Sequence, residues 1–368
     1  MEQRQAAQRE LCRLIDDPGL VIPVLMGLSA HYITSGDIRV AHELAEQLLG
    51  LATQIGNPHV EMIAEWCLGA ALHHLGELEP AYEHLQRGLT LYDPAFHRAR
   101  AWEVGIEPGI FCMCELSRTM VLKGQIDRGL EQIGRAEAAA RDLGHPQTLA
   151  FTVLFRMLLH HLRREPVETR TLSDVLIPLC AEKGFAQELL WARPVNGWAL
   201  YELGDRERGL SEIERAVSDQ EGAHSALLRP YYLLLHADAL RRSGRIDEAA
   251  QRLEAAATVS LATAQRMFEP ELHRLRGELL LDADRLQGEA AREAFEKALG
   301  EARRQGASML ELRAAHSLAA WLAGEGRIPE ARAVLEPVVA GVSEGLETPD
   351  VQEATALLAS LQTTTAHG

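Results

Sequence analysis

No CxxC pair, no GxxxxGK phosphate loop and no apolar run of membrane-spanning length occurs in this chain. The first absence, with only five scattered cysteines (Cys12, Cys67, Cys112, Cys114 and Cys180), excludes a disulfide framework and leaves the thiols as small hydrophobes in a reducing compartment. The second excludes a P-loop nucleotide site, and the third a transmembrane helix. The polar start, MEQRQAAQRE, lacks the apolar segment of a secretory signal, so a cytoplasmic location is expected. Basic residues are outnumbered, 37 against 53 acidic, and the net charge is -16. Phosphate backbones would be repelled over most of such a protein, so nucleic acid is not expected as a partner, and without a spanning apolar run neither is a membrane. Aromatics are scarce at 5%, which gives weight to any place where they gather. Sustained period-two alternation is also missing, which argues against sheet.

What is present is a beat of about forty residues. Turn glycines followed by a polar residue, with a small residue five positions on, recur at Gly36, Gly76, Gly124, Gly204, Gly244 and Gly326. Gly36 and Gly76 stand 40 residues apart, as do Gly204 and Gly244, and Gly124 and Gly204 are separated by two such steps. The missing turn falls at Arg164 (HHLRREP), and a further irregular turn at Asp284, giving eight repeats. Helical periodicity flanks each glycine: Leu25, Leu28, Ser29 and Tyr32 share one stripe, and Ala41, Ala45 and Leu48 another. Glycine permits the left-handed turn between two helices, and the small residues Ala41, Ala81, Gly129, Gly209, Ala249 and Ala331 let the paired helices approach. Steps of this length with this pattern predict a tetratricopeptide-like, all-α solenoid. The divisions expected are an N-terminal helix or cap over 1–19, with its helix near 3–15, and a solenoid over 20–347. A capping helix over 348–362, started by Thr348, Pro349 or Asp350, and a disordered tail over 363–368 complete the chain.

Over most of its length the chain resembles the tetratricopeptide regions of bacterial signalling proteins. These place the repeats behind a nucleotide cyclase or protein kinase domain and a STAND/AAA-type ATPase. The resemblance is carried by HELAEQLLGLA from His42, HLGELEPAYEHLQRGLTLYDPAFHR from His74 and FEPELHRLRGELLL from Phe268. LELRAAHSLAAWLAGEGRIPEARAVLEPV from Leu310 and EGLETPDVQEA from Glu344 add to it. It implies a right-handed, non-catalytic scaffold that binds protein or ligand and relays the event to an ATPase, cyclase or kinase, as an attached domain or a partner. A stand-alone relative and the repeat portion of a longer protein are both compatible with it.

In such a solenoid the first helix of each pair lines the concave face. Counting back from each turn places Trp66, His73, Phe111, Arg118, Phe151, His161, Trp191, Trp198, Tyr201, Tyr231 and Asp238 toward the groove. Two readings compete. Either these residues form an aromatic trough for an apolar peptide, helix or small molecule, oriented by Arg118 and Asp238, or the superhelix is tight enough that they are core. Repeat seven changes character, with Glu271, Arg274, Glu278 and Asp282 at the same positions, read as a charged helical ladder. The stretch WARPVNGWALYELGD from Trp191 departs from the resembling family at Pro194 and Asn196. Pro194 is expected to delay or kink its helix, freeing a carbonyl near residue 190 beside Trp191 and Trp198. Asn196 joins the candidate groove residues on that account.

Adjacent histidines (His73 with His74, His160 with His161) diverge on a helix, as do Cys112 and Cys114, so no metal and no cofactor is expected. No serine or cysteine sits in a nucleophile elbow. The expected function is a protein- or peptide-binding regulatory scaffold working through the concave groove. A small-molecule sensor with an aromatic pocket in repeats five and six is the alternative. A repeat-scaffold enzyme using Arg118, His161, Asp238 or His273 as acid or base is a third.

Overall fold

The computed structural model describes residues 18–98, 107–222 and 225–365. Among them the chain builds eight antiparallel helix pairs and a final helix. Helices α1 (Pro18–Ser35) and α2 (Ile38–Ile55) turn at Gly36, α3 (Pro58–Leu75) and α4 (Leu78–Thr90) at Gly76, and α5 (Pro108–Leu122) and α6 (Ile126–Leu143) at Gly124. Helices α7 (Pro146–Leu162) and α8 (Pro166–Lys183) turn at Arg164, and α9 (Ala186–Glu202) and α10 (Arg206–Gly222) at Gly204. Helices α11 (Arg229–Arg242) and α12 (Ile246–Thr263) turn at Gly244. Next, α13 (Glu269–Ala283) and α14 (Gly288–Gln305) are joined by a 3-10 turn over Arg285–Gln287. Last come α15 (Ser308–Gly324) and α16 (Ile328–Ala340), turned at Gly326, and α17 (Pro349–Thr365). This is the all-α tetratricopeptide-like solenoid that the periodicity predicts. The helix expected near 3–15 lies outside the described residues, and α17 runs to Thr365, into the stretch expected as tail.

Local chemistry explains the punctuation. Asn57 accepts from the His59 and Val60 N–H groups at 3.0 and 3.4 Å, capping α3, whose first residue is Pro58. Glu107 caps α5 by accepting from the Ile110 N–H at 2.6 Å. Asp284 starts the 3-10 turn by accepting from the Leu286 N–H at 2.9 Å, which replaces the missing glycine turn of repeat seven. Helices pair closely where small residues meet: a Cβ on Gly209 would lie 2.5 Å from the Tyr201 nitrogen and 2.6 Å from the Gly197 carbonyl. Only glycine permits that crossing of α9 and α10.

The coil closes on itself. The last carbonyls of a helix lack partners within it, and several here are met by the next superhelical turn. The Ser225 hydroxyl donates to the Thr34 carbonyl (2.9 Å) and the Ala226 N–H to that of Ser35 (3.3 Å). The Arg266 N–H donates to His74 (2.8 Å), and the Arg313 guanidinium to Leu162 (2.6 Å). At the same seam the Glu344 carboxylate accepts from the first N–H groups of α6, Asp127 and Arg128, at 2.9 and 3.1 Å. A Cβ on Gly36 would fall 2.9 Å from that of Ala226, and its φ of +85° is itself a glycine conformation. One apolar core accordingly runs from Ile38, Ala41 and Leu78 to Ala302, Met309 and Leu310 across the seam.

Candidate functional site

Closure divides the groove in two. In repeats two to four the aromatic positions fill the interior themselves. The Phe111 and Phe151 rings stack at 3.8 Å, Trp66 meets Phe111 edge-on at 5.9 Å, and Phe155 follows Phe151 at 4.4 Å. Arg118 lies over the Phe155 ring at 4.8 Å, pairs with Glu115 at 3.0 Å and is only 4% exposed. His73 shares a 2.9 Å hydrogen bond with the Thr119 hydroxyl, and burial together with the Arg118 charge holds His73 and His74 well below the usual imidazole range. Burial outweighs Arg118 at Glu115 and raises that carboxyl. Of this half, Trp66, His73, Phe111 and Arg118 are buried and Phe151 is half-buried against them.

Three residues of repeat five are also packed inward. Trp191 belongs to the main core at 5% exposure. Tyr201 shares a 3.0 Å hydrogen bond with the Ser243 hydroxyl and is 2% exposed. Asn196 accepts from Arg170 of α8 at 2.7 Å, between helices. Pro194 sits inside an α9 that runs unbroken from Ala186 to Glu202. The carbonyl freed four residues earlier, at Leu190, accepts from the Gln220 side chain of α10 at 3.4 Å. It therefore points to the partner helix and not toward the groove beside Trp198, because a buried carbonyl takes the donor that packing offers.

His161, Trp198, Tyr231 and Asp238 do come together, lining an open cavity of about 380 Å³ bordered by the first helices of repeats four to eight and by α17. Its aromatic wall is continuous. His161 meets Trp198 edge-on at 4.3 Å and hydrogen-bonds the Tyr231 hydroxyl, and Tyr231 stacks on Phe268 at 4.6 Å. The opposite wall is charged. Arg241 pairs with Asp238 (3.0 Å), Glu278 (2.9 Å) and Asp282 (2.8 Å), and Arg242 pairs with Glu202. Arg274 binds Glu271 at 2.5 Å and also Glu278, which accepts from the Ser317 hydroxyl at 3.1 Å. The run expected as a charged helical ladder at groove positions is a half-buried network facing the cavity. Burial would raise the Glu271 carboxyl, but Arg274, with Arg313 and Arg241 beyond it, holds it down at about 2. Burial, then Arg313, lowers His161 to about 3, so its ring is neutral and a poor acid or base near pH 7. His273 is absent from this wall and faces Lys297 and Arg276; burial and those cations lower it to about 4.

The far end of the cavity was not foreseen from the sequence. Arg164 pairs with Asp350 (3.1 Å) and Glu353 (2.6 Å) of α17, and Arg313 with Asp350 (2.7 Å). Arg164 occupies the turn position that carries glycine in six other repeats, and it adopts the same left-handed backbone, φ +60°. That conformation costs a residue with a side chain about 1–2 kcal/mol. The visible signal was an arginine where the beat demands glycine. Its partners sat in a segment read only as a cap.

Taken together, fold and site define a closed tetratricopeptide-like solenoid with a charged and aromatic cavity on its concave face. The fold is shared with a Rap protein complexed with Competence and Sporulation Factor. That structure matches with a TM-score of 0.58 and 9% identity, over 94% of this chain and 98% of that one. NprR in complex with its cognate peptide NprX matches with a TM-score of 0.56 and 12% identity, over 94% and 98%. The apo quorum sensor NprR from B. thuringiensis gives 0.50 and 10%, over 92% of each chain. In sequence the chain is similar to an uncharacterized protein of Rhizobium meliloti (strain 1021), 23% identical over 289 residues. That similarity covers 78% of this chain and 28% of the relative's length. No protein-family model matches the chain.

Proposed function

We propose that this chain is a cytoplasmic, non-catalytic regulatory module that binds a short peptide in the cavity of repeats four to eight. The observation that carries the reading is the cavity's composition. Five arginines (164, 241, 242, 274 and 313) and six carboxylates (202, 238, 271, 278, 350 and 353) face a wall of Trp198, Tyr231 and Phe268. Paired charges of both signs offer partners to a peptide backbone and its charged groups, and the aromatics take an apolar side chain. NprR, which shares the fold, was solved with a cognate peptide, and this supports the reading. A purely apolar small molecule fits less well, since it would strip water from charges without replacing it. Acid–base catalysis is disfavoured by the low His161 value. As in the signalling proteins it resembles, the module would relay binding to an ATPase, cyclase or kinase. The length of the Rhizobium relative is compatible with such additional domains.

Selection of displayed random heptapeptides on the full chain tests the reading. Enriched sequences should carry both an apolar and a charged residue and should lose at least tenfold in affinity on Trp198→Ala. No enrichment, or undiminished binding to that variant, would count against it.

A further inference from the structure

Arg164 stands in a strained left-handed turn that glycine fills in the equivalent turns of six repeats. What its side chain gains for the fold is small. Its pair with Glu353, 41% and 48% side-chain exposure, is an exposed one that contributes little to stability, and Asp350 keeps a second cation in Arg313. The seam beside it is already held by the Arg313 bond to the Leu162 carbonyl and by Glu344 on the start of α6. A strained residue with little structural return, whose guanidinium lines a cavity, points to ligand binding.

The two carboxylates it holds are not equivalent. The Asp350 side chain is 9% exposed and shared with Arg313, whereas that of Glu353 is 48% exposed and, among the described residues, ion-pairs with Arg164 alone. Helix α17 is anchored by Val351, Ala354 and Leu361, all buried, so Glu353 can swing into solvent without undocking the helix. We infer that Arg164 is a carboxylate-binding residue of the cavity, and that Glu353 is a built-in stand-in which an incoming ligand carboxylate replaces. The exchange swaps one carboxylate for another on the same guanidinium, so it leaves no buried charge unpaired. A neutral amide in that place would instead compete with an ion pair it cannot reproduce. The neighbouring aromatic wall, His161 with Trp198 and Tyr231, sets the class of ligand: a carboxylate borne next to an aromatic or large apolar group, as at the free C-terminus of a peptide.

The inference rests on the peptide reading of the cavity, and the test separates the two. The probes are N-acetylphenylalanine and its amide, titrated calorimetrically against the full chain, Glu353→Gln and Arg164→Gly. The acid should bind wild type at least tenfold more tightly than the amide. Glu353→Gln should strengthen the acid severalfold by removing its competitor. Arg164→Gly should abolish the preference without lowering the melting temperature, since glycine relaxes the turn. Equal binding of acid and amide, or a preference surviving Arg164→Gly, would overturn the inference and leave the cavity a ligand site. Binding of neither probe to wild type or Glu353→Gln would also overturn it, and display-selected peptides would then report on the wider reading. If those peptides bind as well when C-terminally amidated, the peptide site stands without this subsite.

Discussion

The backbone N–H of Arg266 donates to the carbonyl of His74 at 2.8 Å, joining the connection before α13 to the end of α3. This bond belongs to the seam that turns an open trough into a packed interior with the cavity of repeats four to eight beside it. The seam also supplies partners to helix ends that would otherwise seek water.

Glu344 gives the seam a separable element. Its carboxylate caps α6 from a loop far along the chain and binds Arg128 as well. Glu344→Ala should destabilise the protein by about 1 kcal/mol, the usual worth of a lost cap. Urea unfolding monitored by circular dichroism measures this; an unchanged midpoint would show that the cap adds nothing.

Gly209 and Gly134 should respond to alanine with opposite signs. At Gly209 a Cβ would meet α9 backbone at 2.5 and 2.6 Å, so the pair must separate, at a cost of about 1–3 kcal/mol. At Gly134, exposed within α6, a Cβ meets nothing within 4 Å. There alanine should stabilise by about 0.5–1 kcal/mol through helix propensity. Thermal melts of the two variants decide both.

Acid should weaken the fold in two stages. His236 is 1% exposed, neither ring nitrogen has a hydrogen-bond partner, and burial lowers its value to about 4. Below about pH 6.5 the unfolded imidazole takes up a proton that the folded one refuses, so stability falls until about pH 4 and then levels. The loss amounts to up to about 3 kcal/mol for this group. Glu271, held at about 2, adds a second loss below about pH 4.5, where the unfolded carboxylate protonates first. His236→Leu should reduce the difference between unfolding at pH 7 and pH 5, the remainder staying with the other buried histidines, His73, His74, His161 and His273. An unchanged slope would remove His236 from the account.

Trp198 and Tyr201 should separate binding from packing. Tyr201→Phe deletes the hydroxyl bonded to Ser243 and should cost about 1 kcal/mol with peptide affinity intact. Trp198→Ala should cost affinity at least tenfold. Calorimetry with a display-selected heptapeptide, alongside urea melts, separates the effects; a Tyr201→Phe loss of affinity as large as Trp198→Ala would contradict the assignment.

Much of this was legible before the structure. Glycine spacing placed the turns, including the two that lack glycine, because left-handed turns and small crossing residues leave marks one residue wide. The change of character at Glu271, Arg274 and Glu278 was visible too. Closure was not. Counting back from each turn shows which side a residue faces, but not how far away the opposite wall lies. Hence Trp66, Phe111 and Arg118 are packed away from the cavity, where His161, Trp198 and the equally buried Tyr231 line it. Arg164 was seen as an irregular turn; its partners Asp350 and Glu353 lie a full superhelical turn away, a distance no local pattern encodes.

The central claim is that the peptide enters the cavity of repeats four to eight and nowhere else along the solenoid. Photocrosslinking with a display-selected heptapeptide carrying benzoylphenylalanine, followed by peptide mapping, tests it most directly. Crosslinks should fall on Trp198, on Tyr231 to Arg242 and on Phe268 to Glu278. Crosslinks concentrated on Trp66, Phe111 or the convex second helices would contradict it.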